Sequence, residues 1–238
     1  MAKITRNATV HSATDGGAST NPISFSKNIP ADCTFVVLLT VVNRSGTGQN
    51  ISGVTIGGAV ASNITSFPSS GTSIPRISGW YLENPATGSQ TFEITYGGTS
   101  ANRAFIVLYF KDQHASAPLN AATPTTGSGN STAPAVGPIS NGTDGTTYSV
   151  VAWNDDGITI DGSPIGSISS ASSGANSREL VVYETTTAGS VSLAQTLSAT
   201  SQWRAFQFVL DGIASASGVA HLAPSTRLTS LVNGGLVR

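Results

Sequence analysis

The chain has few charged residues, and this scarcity limits the partners it can bind. Only 10% of its 238 residues are charged, and 11 Lys and Arg against 12 Asp and Glu give a formal net charge of -1. Non-specific binding to nucleic acid or to an anionic membrane needs clustered Lys and Arg. The basic residues here are scattered singly. The sequence therefore predicts neither a nucleic-acid partner nor a membrane partner.

Cysteine and long apolar runs are scarce as well. Cys33 is the single cysteine, so no disulfide can form within the chain and the fold depends on packing. The longest apolar runs, 35–39 and 105–110, are far shorter than the roughly 20 residues that span a bilayer. The first residues lack the apolar stretch of a signal peptide. These absences predict a soluble intracellular product that is not exported.

Hydroxyl residues and glycine dominate the composition instead. The chain contains 34 Ser, 29 Thr and 26 Gly, while Glu and Lys, which favour helices, are rare. Runs of Val, Ile, Phe, Tyr and Thr recur between clusters of Gly, Pro, Asn and Ser, as in proteins with many antiparallel strands. With 39% hydrophobic residues the chain can build a core. We predict an all-β fold, an antiparallel β-sandwich of jelly-roll-like form.

The apolar runs fall into two sets that are separated by a segment rich in Pro and Gly. We predict an N-terminal strand or arm at 1–28, a sandwich domain at 29–212 with a crossover at about 114–145, and a C-terminal docking tail at 213–238. Part of the crossover is expected to form an edge strand around 133–139. Two tandem sandwiches split near residue 130 are the alternative.

The two sets of apolar runs resemble each other in sequence. A shift of 101 residues aligns 83–89 with 184–190 and continues without a gap to 99–105 over 200–206. At a different offset, 34–37 matches 147–150. The pattern predicts that one strand-turn-strand module is used twice, as pseudo-repeated halves.

The tail contains a short amphipathic pattern. Leu228, Leu231 and Val232 have i, i+3, i+4 spacing, and Ser225 can cap the start of a helix. A helix of about nine residues is not stable alone in water, so it must dock on its own domain or on a neighbouring subunit. Leu228, Leu231, Val232 and Leu236 are therefore the predicted assembly residues.

The sequence contains no recognisable catalytic arrangement. His11, His114 and His221 lie about a hundred residues apart in unlike contexts, without the spacing of a metal site or of a nucleophile and its base. We therefore predict that the protein is not an enzyme and has no cofactor.

One acidic cluster raises the question of a cation. Asp155, Asp156 and Asp161 lie close to glycines, and their carboxylates are the oxygen ligands that Ca²⁺ prefers. Asp-Gly pairs are also ordinary hairpin turns, which is the favoured interpretation. The sequence leaves cation binding open.

Two further sets of side chains have a structural and a functional interpretation. Trp80 and Trp153 lie in apolar strands and are predicted to be core residues, whereas Trp203 is the best exposed candidate for stacking on a glycan. Arginines open and glutamates close matching strands of the two modules, which predicts a cross-strand ion pair within each or an anchor at a subunit interface. The residues are Arg103 with Glu83 and Arg204 with Glu184.

Four short sequence segments resemble segments of a known module. They are Gly53-Val54-Thr55-Ile56-Gly57-Gly58, Trp80-Tyr81-Leu82-Glu83-Asn84-Pro85, Thr87-Gly88-Ser89-Gln90-Thr91 and Ser201-Gln202-Trp203-Arg204-Ala205-Phe206. Over about 34–212 the chain resembles a jelly-roll-like β-sandwich module of phage virion proteins and bacterial surface proteins. The resemblance implies a single sandwich and includes no catalytic residue.

The resemblance also implies a role. Relatives in that family serve as head decoration, head fibre or tail appendage components, and the absence of a signal peptide here favours a virion protein made in the cytoplasm of the bacterial host. We predict a symmetric homo-oligomer, with a trimer favoured, that contacts other virion proteins as a capsid decoration or head-attachment component or as a tail appendage. The alternative is a carbohydrate-binding module that recognises the host surface.

Overall fold

The computed structural model describes residues 4–16, 21–43, 50–67, 75–97, 102–113, 118–120, 124–154, 157–169 and 178–212. These residues form antiparallel strands and, within those ranges, no helix, so the predicted all-β antiparallel sandwich is confirmed. The strands are β1 (Thr5–Gly16), β2 (Ile23–Ile29), β3 (Phe35–Asn43), β4 (Ile51–Ile56), β5 (Ala59–Val60), β6 (Ser62–Ser66), β7 (Arg76–Glu83), β8 (Gly88–Tyr96), β9 (Asn102–Lys111), β10 (Thr125–Ser131), β11 (Ala135–Asn141), β12 (Gly145–Asn154), β13 (Gly166–Ser169), β14 (Arg178–Thr185), β15 (Gly189–Ala194) and β16 (Ser201–Asp211).

The strands form four sheets. Central sheet 1 has the order β1-β9-β3-β7-β6, and central sheet 2 has the order β10-β16-β12-β14-β13. Outer sheet 1 has the order β2-β8-β4-β5, and outer sheet 2 is the pair β11-β15. The first central and outer sheets come from the first half of the chain, and the other two come from the second half.

Three apolar layers separate the four sheets. The middle layer lies between the two central sheets, and Phe110 of one contacts Tyr148 of the other with ring centroids 5.2 Å apart. A second layer lies between central and outer sheet 1, and a third lies between central and outer sheet 2. Strands β3, β9, β12 and β16 are apolar on both faces because each lies between two of these layers.

The outer strands follow the alternation of a half-buried strand. In β8 the side chains of Phe92, Ile94 and Tyr96 are buried, and the residues between them are exposed. Alternate side chains of a strand point to opposite faces, so one face of outer sheet 1 packs on the core and the other faces solvent.

The two central sheets have the same strand order, and their registers match. In each sheet one row of paired residues crosses three strands. The rows are Phe110, Phe35 and Glu83 in central sheet 1, and Phe208, Tyr148 and Glu184 in central sheet 2. The fold is therefore built from one arrangement of strands used twice.

The ungapped alignment expected from the sequence is wrong in the last strand. The shift of 101 residues holds where Glu83 matches Glu184, but Phe110 matches Phe208, which is three residues fewer. A shift of an odd number of residues along a strand turns every side chain to the opposite face of the sheet. Arg103 accordingly lies against the Tyr96 ring of the outer layer, whereas Arg204 points toward Phe67 of the middle layer.

Several predicted segments have a definite place in the sheets. Residues 1–28, expected as an N-terminal docking strand, contribute β1 and nearly all of β2, which are edge strands of two sheets. The predicted crossover at 114–145 contains β10 and β11, and β11 coincides with the edge strand expected around 133–139. The tail at 213–238 lies outside the described residues.

No helix among the described residues has both the length and the apolar character needed to cross a bilayer.

Candidate functional site

Trp203, the predicted glycan-stacking residue, is buried, and its predicted exposure is wrong. Only 5% of the residue is exposed, and the indole Nε1 donates to Ser131 Oγ at 3.1 Å. The ring lies across β10 at Gly129, where an added Cβ would be 2.8 Å from Trp203 Cζ2. A sugar cannot stack on this ring without displacing the strand that covers it.

The remaining predicted site residues divide between described and undescribed parts of the chain. Leu228, Leu231, Val232 and Leu236 lie outside the described residues, and so do Asp155 and Asp156. Asp161 is described, and its Oδ1 accepts from Thr196 N at 2.8 Å while its carbonyl oxygen accepts from Tyr183 Oη at 2.7 Å. Within the described ranges no three acidic, His or Cys side chains are grouped as a metal site would require.

The glutamate of the second module pairs with the first half of the chain. Glu184 Oε2 accepts from Arg6 Nε of β1 at 2.6 Å, so the predicted pair between Glu184 and Arg204 is wrong. Arg204 lies instead 6.0 Å from the centroid of the Phe67 ring, and burial lowers the pKa of its guanidinium. The predicted ion pair fails because Arg204 is opposite Ala152 and Glu184 is opposite Tyr148, so the two residues lie on different sides of β12 and four residues apart along it. The Arg6–Glu184 pair joins the two halves.

The feature best suited to assembly is β10, the edge strand of central sheet 2. Its sequence, Thr-Thr-Gly-Ser-Gly-Asn-Ser, contains no charge and no proline. It pairs with β16 without interruption from Thr125 opposite Gln207 to Ser131 opposite Ser201. Within the described chain its other side has no ladder partner. Alternate backbone N–H and C=O groups of such an edge point away from the sheet and can pair with another strand.

The local sequence explains why one face of β10 is closely packed and the other is exposed. Gly127 and Gly129 face outer sheet 2, and both are needed because β11 and the Trp203 ring approach this face closely. The side chains of Thr126, Ser128 and Asn130 alternate with them and are exposed. The exposed face is therefore hydroxyl and amide in character.

Six of the other seven described edges carry features that discourage pairing. Strands β5 and β13 have two and four residues, and β2 carries Lys27. Strands β1, β6 and β11 have extra residues at a register shift, and β11 also contains Pro138. The remaining edge, β15, has six residues and belongs to a sheet of only two strands. Short length, charge, proline and bulges are the usual protections of a sheet edge. Strand β10 lacks all four.

The sequence pattern does not predict β10, because its residues are not those typical of a strand. Its glycines, its serines and its lack of apolar residues are typical of a crossover. A usable signal was the alternation of Gly127 and Gly129 with polar residues, since strand glycines often mark a close approach of another group.

No family model, no curated protein and no solved structure matches the chain.

Proposed function

We propose that this protein is a non-enzymatic structural component of a bacteriophage virion, and that its copies associate through β10. The resemblance of 34–212 to a virion module supports the virion role. The observation that carries the proposed assembly is the uncharged, uninterrupted edge of central sheet 2, at Thr125–Ser131. Head decoration or head attachment is the favoured position, with a tail appendage next, and the protein is made in the bacterial cytoplasm.

The chemistry of the surface supports close packing of many copies. Only 10% of the residues are charged, and the net charge is -1, so repulsion between neighbouring copies is small. Ser and Thr lose less side-chain entropy at an interface than long charged residues do. Such a surface suits a protein that covers a larger particle.

The edge suits a second copy of the same strand. Two copies of β10 running antiparallel are self-complementary, as a two-fold interface requires, and they bring no like charges together. A trimer, the predicted oligomer, requires β10 to meet a different surface of the next copy. The native mass distinguishes a dimer from a trimer.

The test is a lysine on the exposed edge. Asn130→Lys places a charge on an exposed position opposite Gln202, away from Arg204, which is paired with Ser128. We expect sedimentation equilibrium to give an oligomer for the original chain and a lower mass for Asn130→Lys, partly restored by high salt because salt screens charge repulsion.

The matched control keeps the same position uncharged. Asn130→Gln should assemble like the original chain, and far-UV circular dichroism should show both variants folded. If Asn130→Lys retains the mass of the original chain, β10 is not the contact and this part of the proposal fails.

The predicted docking tail has its own test. Leu228→Asp combined with Leu231→Asp should leave the sandwich folded and abolish assembly if the tail docks on a neighbour, and native masses of the full chain and of residues 1–214 should agree with that result. Unchanged masses would leave the β10 contact as the proposed interface and reject the tail as one.

A further inference from the structure

The two outer sheets differ at equivalent ends of β2 and β11. Ile29 ends β2 opposite Gly88, and Asn141 ends β11 opposite Gly189, with the two glycines related by the shift of 101 residues. Ile29 is 1% exposed in the apolar layer of the first half, and Asn141 is 3% exposed. The second half therefore buries an amide where the first half buries an apolar side chain. Such an amide needs partners for its polar atoms.

The amide of Asn141 has hydrogen-bond partners for its nitrogen. Nδ2 donates to the Thr187 carbonyl at 2.8 Å and to the Thr185 carbonyl at 3.4 Å. Because a carbonyl oxygen can only accept, these two contacts fix which amide atom is the nitrogen. The other atom, Oδ1, is therefore a buried acceptor, and it has no hydrogen-bond partner in the described part of the chain.

Asn141 Oδ1 lies over Gly145, at the start of β12. A Cβ added to Gly145 would overlap Asn141 Oδ1 and would lie 3.1 Å from Asp211 Oδ1. Asp211 is opposite Gly145 in the ladder, and its Oδ2 accepts from Asn120 Nδ2 at 2.8 Å. One oxygen from outer sheet 2 and one from central sheet 2 therefore face the same point, which a side chain at position 145 would fill.

A second carboxylate and a hydroxyl come from neighbouring positions in the chain. Asp144 precedes Gly145, and its carbonyl accepts from Gly212 N at 3.0 Å, which holds this turn against the end of β16. Thr147 follows two residues after Gly145, on the same face of β12. Asp144 Oδ1 and Thr147 Oγ1 are both buried, and neither has a hydrogen-bond partner among the described residues.

The chemistry of these oxygens is that of a cation site. Ca²⁺ takes carboxylate oxygens, Asn carbonyl oxygens and water in a flexible geometry, so it does not require the three acidic side chains that the described ranges fail to group. Asp144 and Asp211 bring two negative charges to one turn, and like charges repel. A water molecule can donate to two of the oxygens, but it leaves that charge unbalanced.

We propose that Asn141, Asp144 and Asp211 bind one Ca²⁺ ion at the end of outer sheet 2. Bound there, the ion joins β11 of the outer sheet to β12 and β16 of central sheet 2. Outer sheet 2 has only two strands, so this link stabilises its attachment to the rest of the molecule. The site is separate from the acidic cluster at 155–161, and it does not depend on assembly through β10.

The experiment is isothermal titration calorimetry of the full chain with CaCl₂, after treatment with EDTA and removal of the chelator. We expect one Ca²⁺ per chain, with saturation by roughly 10 mM, about tenfold above the weakest dissociation constants of natural calcium modules. The melting temperature should rise with the Ca²⁺ concentration and fall back in EDTA, because the ion binds the folded state. MgCl₂ should raise it less, since Mg²⁺ demands octahedral geometry and keeps its waters.

Asp144→Asn tests a proposed ligand with a side chain of the same shape. It should weaken Ca²⁺ binding about tenfold or more, because affinity depends on the charge of the ligands. In EDTA it should be no less stable than the original chain, since the substitution removes the repulsion between two carboxylates. A purely structural Asp144 would instead lose stability equally with and without Ca²⁺. Asp211→Asn is a second variant that should also weaken binding.

The matched control is Asp161→Asn, which changes an aspartate of the other acidic cluster. Its Ca²⁺ affinity should equal that of the original chain. Asn130→Lys should also bind Ca²⁺ normally, so a failure of assembly through β10 leaves this result intact.

Three outcomes would overturn the calcium assignment. One is that neither heat of binding nor a change in melting temperature is seen with CaCl₂. Another is an unchanged affinity in a folded Asp144→Asn variant. The last is that Asp161→Asn loses binding while Asp144→Asn keeps it, which would place the ion at the acidic cluster.

Discussion

At the scale of single residues, the burial of Trp203 differs most clearly from what the neighbouring sequence predicts. Its polar neighbours Gln202 and Arg204 predict exposure, yet the ring is buried against glycines of β10. No local pattern around Trp203 could reveal this, because the glycines that receive the ring lie more than 70 residues earlier in the chain. The burial of a side chain next to a sheet edge depends on how the edge strand packs against it, which is a property of the topology.

The contact between Trp203 and β10 predicts a strong effect of one methyl group. Gly129→Ala would place a Cβ 2.8 Å from Trp203 Cζ2, so either the indole or the strand must move. Overpacking of this kind costs about 1–3 kcal/mol. Urea denaturation should show the loss as a lower midpoint with an unchanged slope.

The control for this variant is a glycine with free space. Gly137→Ala in β11 adds a Cβ with no atom within 4 Å, and we expect a change of less than about 0.5 kcal/mol in the free energy of unfolding. Equal losses in the two variants would mean that the indole does not pack against β10 in solution.

Buried tyrosines predict that stability falls in alkali. Burial raises the pKa of Tyr183 to about 12 and also raises the pKa values of Tyr109 and Tyr148 well above the ordinary value. Tyrosines of the unfolded chain ionise near pH 10, about their ordinary pKa. A raised folded pKa gives stability that is complete below that pH and is lost as the pH rises toward the folded pKa.

The measurement is the free energy of unfolding in urea as a function of pH. It should be level with respect to these groups up to about pH 10 and should then fall steadily toward about pH 12. Tyr183→Phe loses the hydrogen bond to the Asp161 carbonyl, so it should be less stable at neutral pH and should fall less steeply in alkali. A level profile through this range would contradict the burial of these hydroxyls.

At the scale of the strands, apolar sequence patterns are sufficient to predict a strand where it is buried, and they fail to predict it where it is not. The apolar runs at 34–43 and 103–111 predict β3 and β9, because strands between two apolar layers must be apolar on both faces. Strand β10 has no such requirement, since its exposed face needs only polar side chains and its buried face needs glycine. The sequence pattern therefore predicts the central strands and misses the edge strands β5, β10 and β13.

The internal repeat shows that short sequence motifs do not predict the register between strands. Similar turns near Glu83 and Glu184 correctly align β7 with β14, but the similar Arg-Ala-Phe triplets of β9 and β16 are three residues out of register. Register follows which face is buried and not the identity of short motifs.

Differences between strands predict an order of hydrogen exchange. Amides of β3, β9, β12 and β16 lie in interior strands covered by two layers, so they should exchange most slowly. Amides of β10 that point away from β16 should exchange fast in dilute solution. They should become protected at concentrations where the native mass increases, if β10 is the contact between copies.

The control for the hydrogen-exchange experiment is β13, the opposite edge strand of central sheet 2. Its four residues are too short a template for pairing, so its protection should not depend on concentration. Concentration-dependent protection at β13 and none at β10 would place the interface on the wrong edge for the proposed assembly.

At the scale of the whole molecule, the middle layer makes the two halves interdependent. Each half has its own apolar layer between a central and an outer sheet, which by itself would allow two separate sandwiches. The inner faces of both central sheets are nevertheless apolar, and they bury each other. A half on its own would expose that face, including Phe110 in the first half or Tyr148 in the second.

This arrangement predicts that the halves fold together. Residues 1–122 and 123–238, produced separately, should aggregate or bind a hydrophobic dye, because each central sheet loses the apolar cover of its partner. Produced together they should associate, aided by the pair between Arg6 and Glu184, and should unfold in a single transition like the intact chain. A soluble half with a sharp melting transition of its own would show that one sandwich is sufficient, and that the middle layer joins two independent units.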